Sequence, residues 1–137
     1  MGLILDSTVL IPAERRGETV REIALRTKAI HGDTPTAIST ISVIELTHGI
    51  HRARTIADPD RRQNFMDELC RDMIIHPVSL EIAQLAGQIE GEQAAKGVVI
   101  PFEDLVIGAT ALHFGFDVAT HNAKHFQLIP NLRIVTP

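Results

Sequence analysis

The chain alternates short apolar runs with longer stretches whose apolar residues recur at helical spacing. Leu3-Ile4-Leu5 is a three-residue apolar run and reads as a strand buried on both faces, the pattern of a parallel sheet. A helix is predicted from about Thr19 to Ile30, with Ile23, Ala24 and Ile30 on one side, and Gly32-Asp33-Thr34-Pro35 ends it. Ala37 to Ile41 reads as a second strand, after which Ser42 opens a helix reaching about Ile56. Asp58-Pro59 is a restart, with Asp58 as the cap and Pro59 in the first turn of a helix carrying Phe65, Leu69 and Met73. A short strand over Ile74 to Val78 follows. Ser79 then caps a helix with Ile82, Leu85, Ala86 and Ile89 on one face. Pro101 to Phe114 is apolar on nearly every side and reads as a buried helix. Phe116 to Thr120 and Arg133 to Val135 complete the set as strands. Strands alternating with helices predict an α/β fold: a three-layer α/β/α sandwich around a mainly parallel central sheet, in one domain over residues 1–137.

In such folds ligands bind beyond the carboxyl ends of the strands. Asp6 stands just past the first strand, and Glu45 is one turn past the second. His121 and Asn122 follow the strand that ends at Thr120, and Asp104 opens the buried helix. Four separate stretches thus bring polar groups to one rim. Each acid also has a plainer reading. Asp6 begins Asp6-Ser7-Thr8 and would serve as a helix cap. Ser42-Val43-Ile44-Glu45 has the spacing of a capping box. One of Glu103 and Asp104 complements a helix dipole. Asn122 suits a turn. If Asp6, Glu45 and Asp104 converge, their charges conflict: two carboxylates ~4 Å apart repel by about 4 kcal/mol at an effective dielectric of ~20. A divalent cation relieves that. An all-oxygen donor set selects Mg²⁺ or Mn²⁺ over Zn²⁺, which points to phosphodiester chemistry.

Composition narrows the classes. The 137 residues are 45% hydrophobic, enough for a core that needs no staples. The single Cys70 excludes an internal disulfide and a Cys-rich zinc site, and suits a reducing cytoplasm. No apolar run is long enough to span a membrane, and the N-terminus lacks a signal-peptide pattern. A net charge of −4 argues against coating nucleic acid through bulk charge. Ten of the 13 Lys and Arg nevertheless lie in the first 72 residues, so a local basic edge competes with ordinary helix faces balanced by Glu14, Glu18, Glu22, Asp67, Glu68 and Asp72. The histidines show no zinc-like spacing, and His48 and His51 read as surface residues.

Four segments in order resemble the motifs of the PIN-domain ribonucleases, most closely the VapC-type toxins of toxin–antitoxin pairs. They are Leu3 to Ile11, Ile38 to Gly49, Pro101 to Leu112, and Val118 to Phe126 with the tail Ile129 to Ile134. The resemblance covers essentially the whole chain. It implies Asp6, Glu45 and Asp104 as metal-binding acids of a Mg²⁺- or Mn²⁺-dependent endoribonuclease, with Asn122 and Thr120 assisting. It also implies a homodimer, a VapB-like antitoxin that represses the operon together with the toxin, DNA met only through that antitoxin, and structured RNA, often transfer RNA, as substrate. Many relatives carry a fourth acid in the last motif. Here that region offers Asn122 and His125 and no carboxylate, so a second metal ion would be held more weakly. Two rival readings remain: a PIN-like module that binds RNA or protein without cutting, and a phosphohydrolase with Asp6 as nucleophile. The latter lacks its usual acid two residues on, where Thr8 stands, and a Gly-rich phosphate loop.

Overall fold

The computed structural model of the chain describes residues 1–52 and 59–137. Five parallel strands form one sheet in the order β3-β2-β1-β4-β5: β1 (Leu3–Leu5), β2 (Thr36–Ser39), β3 (Ile74–His76), β4 (Asp117–Ala119) and β5 (Ile134–Val135). Helices α1 (Ser7–Arg15), α2 (Val20–His31), α3 (Thr40–Arg52), α4 (Pro59–Asp72), α5 (Leu80–Ala94), α6 (Phe102–Phe114) and α7 (Ala123–Phe126) connect them.

Alternation along each strand builds the two layers of core. Ile4, Ala37 and Val118 join Ile82, Ile89, Leu105, Ile107, Phe126 and Ile129 on the side of α5, α6 and α7. Their neighbours Leu5, Ile38 and Ala119 join Leu10, Ile23, Leu46, Phe65 and Leu69 on the side of α1 to α4. A strand must be apolar at every position when both of its faces are covered, which is why Leu3-Ile4-Leu5 shows no alternation. The mainly parallel α/β/α arrangement is therefore present.

Local signals place most helix ends. The Thr19 hydroxyl accepts from the Glu22 N–H and the Ser79 hydroxyl from the Ile82 N–H, each the bond expected of a cap. Gly115, in the left-handed region at φ 68°, closes α6. Three expectations differ. A helix over Ser7–Arg15, with Pro12 inside it, was not among the predicted elements, although Asp6 stood as a cap candidate; its side chain makes no cap bond. The second strand ends at Ser39 rather than Ile41, so α3 starts two residues before Ser42. The Ser39 hydroxyl then accepts from the Ile41 N–H. The capping box is thereby corrected: Ser42 lies inside α3, buried, with no hydrogen-bond partner for its hydroxyl. The expected Asp58 cap and the stretch toward Ile56 lie outside the described residues.

Candidate metal and catalytic site

The strand order reverses direction between β1 and β4. The helix after β1 packs on one face of the sheet and the helix after β4 on the other, which leaves a crevice at the carboxyl ends. Asp6 and Thr120 sit side by side there, since Leu5 pairs with Ala119 and the Asp6 N–H bonds the Ala119 carbonyl at 3.0 Å.

Asp6 is 2% exposed, yet its side chain accepts no capping bond from a backbone N–H of α1. Two threonines hold it instead. The Thr8 and Thr120 hydroxyls each donate to Asp6 Oδ2 at 2.8 Å. Each hydroxyl in turn accepts a backbone N–H, from His121 on Thr8 at 3.1 Å and from Asn122 on Thr120 at 2.9 Å. Two parallel relays from the backbone of the 121–122 turn thus converge on one carboxylate oxygen. Such bonds lock the rotamer. The other oxygen, Oδ1, has one long contact, 3.4 Å from the Ser7 hydroxyl.

Glu45 is half-buried on α3, and its Oε2 is buried with no hydrogen-bond partner. Burial pushes its carboxyl above the usual range of 4.5, the Ser7 hydroxyl opposes the rise, and the charges of Asp6 and Asp104 add to it. The Ser7 hydroxyl has a single proton, so it cannot serve Asp6 and Glu45 fully at once. Asp104 lies in the first turn of α6 beside the exposed Glu103. Burial raises its carboxyl too; a hydrogen bond from His125 opposes this and the Asp6 charge adds to it. The bond joins His125 Nδ1 to Asp104 Oδ2 at 2.8 Å, and Asn122 Nδ2 lies 3.3 Å from the same ring nitrogen.

The three acids therefore feel one another's charge. Among the described residues, no three His, Cys, Asp or Glu side chains are already grouped tightly enough to hold a metal ion. The residues nonetheless suit a hard divalent cation. The acids offer only oxygen, Glu45 Oε2 is an orphaned buried acceptor, and two of the three carboxyls bear the cost of negative charge without a cation. An open cavity of about 390 Å³ lies against Glu45 and is lined besides by Ser7, Thr8, Ile11, Pro12 and His121.

Residues that sequence reasoning left in minor roles stand close to the centre. Thr8 holds Asp6 as directly as Thr120 does, and His125 rather than Asn122 touches Asp104. Hydroxyl residues flanking an acid at a strand end carry a signal for the first. For the second, the sequence put Asn122 or His125 beside the metal, and the contact, which spans 21 residues, falls to His125. Among the described residues, five of the basic groups of the N-terminal half stand in ion pairs. Arg16 and Arg26 bind Glu18, Lys28 meets Asp33, Arg71 meets Asp72, and Arg62 meets Glu14. His48 and His51 are exposed on α3.

Comparison with known proteins agrees with this architecture. The chain is 28% identical over 136 residues to "Ribonuclease VapC" of Rickettsia bellii, covering 99% of this chain and 96% of that protein. It is 29% identical over 97 residues to the "tRNA(fMet)-specific endonuclease VapC" of Salmonella typhimurium, 71% of each. The crystal structure of DNA-bound VapBC from Salmonella typhimurium superimposes with a TM-score of 0.77 at 26% identity, covering 99% of this chain and 98% of that one. Among the described residues, no helix is long and apolar enough to cross a membrane. The PIN domain pattern matches residues 3–131, and the chain belongs to the PIN domain family.

Proposed function

We propose that this protein is a metal-dependent endoribonuclease and the toxin of a type II toxin–antitoxin pair, acting on structured RNA of the transfer RNA class. The observation that carries the reading is the buried Asp6 carboxylate, clamped through one oxygen by Thr8 and Thr120 within the field of Glu45 and Asp104. The whole-length likeness to a VapC ribonuclease and the partial likeness to a transfer RNA endonuclease support the activity and the substrate class. The likeness to a DNA-bound VapBC complex supports a VapB-like antitoxin, with DNA engaged through that partner. A homodimer and a cytoplasmic location belong to the same proposal.

Asp6, Glu45 and Asp104 would hold Mg²⁺ or Mn²⁺. When bound, such an ion binds phosphate oxygens, orients water for in-line attack and offsets charge on the leaving oxygen. The protein's own part is positioning. Thr8 and Thr120 fix Asp6, so its freer oxygen is presented with little reorganisation. Glu45 brings a carboxyl whose negative charge burial makes costly until a cation offsets it. His125 steadies Asp104, while Thr120 and Asn122 tie the 120–122 turn to the crevice.

The test is cleavage of a transfer RNA pool with Mg²⁺ or Mn²⁺ by the wild type, Asp6→Ala and Asp104→Ala. The expected result is loss of at least a hundredfold in both variants; equal rates in all three would remove the proposal. A second reading, a binding module without turnover, draws on the lack of a carboxylate in the last segment and of a ready-made ligand cluster among the described residues. Metal titration separates the two, because a pure scaffold shows neither divalent-ion binding nor ion-dependent turnover.

A further inference from the structure

The contact between Asp104 and His125 goes beyond charge balance. Oδ2 and Nδ1 are 2.8 Å apart, and the ring nitrogen either donates a proton to the carboxylate or, in the other tautomer, turns an in-plane lone pair toward it. Two lone pairs at that distance repel unless an electropositive centre lies between or beside them. A hydrogen on Nδ1, making an ordinary hydrogen bond, fills that role. A bound ion can fill it as well, because an octahedral ion with bonds of about 2.1 Å sets neighbouring ligand atoms about 3 Å apart. The Asp104–His125 spacing matches one edge of such an octahedron.

The imidazole is also held in place. Phe126, next to it, is fully buried, and Ile129 beyond it packs on Gly108 of α6, the helix that carries Asp104. Asn122 approaches the same ring nitrogen at 3.3 Å. The ring keeps 40% of its side-chain surface exposed, so solvent reaches it from the crevice.

We infer that His125 and Asp104 together form one edge of the ion site, making it a mixed nitrogen–oxygen site that favours Mn²⁺ over Mg²⁺. This rests on the metal-dependent reading above. Mg²⁺ strongly prefers oxygen, whereas first-row transition ions accept imidazole readily. The segment that lacks a fourth acid thus contributes a softer donor, not merely a missing one.

The test uses tag-free protein loaded with Mn²⁺ and pulsed electron paramagnetic resonance, which detects ¹⁴N coupling from a directly bound imidazole. The same samples give Mn²⁺ and Mg²⁺ dissociation constants by calorimetry. Wild type, His125→Gln, His125→Asp and His121→Ala are compared, with thermal melts to confirm folding. We expect ¹⁴N modulation in the wild type and in His121→Ala, and none in the two His125 variants. The ratio of Mn²⁺ to Mg²⁺ affinity should fall about tenfold in His125→Asp. Mn²⁺ that binds without ¹⁴N modulation, or modulation that survives in both His125 variants, overturns this inference and leaves the nuclease reading standing. Absence of any bound Mn²⁺ or Mg²⁺ overturns both.

Discussion

Thr120 donates its hydroxyl proton to Asp6 Oδ2 at 2.8 Å across 114 residues of chain, and Thr8 donates to the same oxygen from two residues away. One bond is long-range and one local, so they report on different things. Thr120→Val keeps the shape and removes the long-range donor from a buried carboxylate. It should cost about 1.5–3 kcal/mol of unfolding free energy in urea melts, the range for a hydrogen bond to a charged group. It should also weaken Mn²⁺ binding about tenfold in calorimetry. Thr120→Ser should restore most of both. A Thr120→Val protein with wild-type stability and affinity would show that Thr8 alone holds Asp6.

The raised carboxyls of Glu45 and Asp104 make the metal-free protein less stable as pH rises. For each group the folded form binds its proton more tightly than the unfolded chain does. Stability is therefore unpenalised below the ordinary values of 4.5 for Glu and 3.8 for Asp, and it falls as pH climbs from there through the raised folded values. Glu45→Gln and Asp104→Asn should accordingly raise the Tm of metal-free protein at pH 7 and leave it little changed at pH 4. Saturating Mn²⁺ should reverse the order at pH 7, since only the wild type gains the full binding energy. Scanning calorimetry at the two pH values, with and without the ion, checks both signs.

Much of the sheet was legible because strands buried on two faces leave uninterrupted apolar runs, as in Leu3-Ile4-Leu5. The cap at Ser79 was legible because a hydroxyl stood directly before an apolar period, and the helix starting near Thr19 was legible from its period, though Thr19 was not singled out as its cap. What misled was a real ambiguity. Ser42 and Glu45 have capping-box spacing, but the strand gives way at Ser39, whose own hydroxyl serves the helix start. The box pattern is local, whereas the strand end is set by pairing with β1 and β3. At the site, the carboxylates could be found because acids at strand and helix ends are conspicuous among apolar residues. The His125–Asp104 contact could not, because it depends on how a four-residue helix packs against α6.

Glu14 of α1 and Arg62 of α4 form a buried pair, Nε to Oε1 at 3.1 Å, with side chains 7% and 5% exposed. The approach is off-line, and neither of those two atoms has a hydrogen-bond partner. Poorly aligned buried pairs recover little of their desolvation cost. Removing one partner, as in Arg62→Met, should cost about 3–5 kcal/mol because a buried charge is stranded. Replacing both, Glu14→Leu with Arg62→Met, should return to within about 1 kcal/mol of the wild type or exceed it. Chemical denaturation of the two singles and the double closes the cycle.

Gly108 links the stability of α6 to the geometry of the site. It lies mid-helix, where Ala would ordinarily be favoured by about 1 kcal/mol. A methyl group there would overlap Ile129 Cδ1 and stand 3.3 Å from Leu132 Cδ2. Ile129 is 3% exposed, so its tip has no open space to retreat into. Overpacking of this kind costs about 1–3 kcal/mol, which outweighs the helix propensity gained. Gly108→Ala should therefore destabilise the protein by up to about 2 kcal/mol, and Ile129→Val, which removes the clashing atom, should recover most of that in the double variant. The segment pushed outward is the one that follows α7, so the displacement also bears on His125. Gly108→Ala should loosen the Asp104–His125 contact, visible as a change in the His125 ring resonances by NMR, and the double variant should bring them back. Wild-type stability in Gly108→Ala would mean that the tail past Phe126 yields freely, and His125 would then lack the fixed seat that its role at the ion site needs.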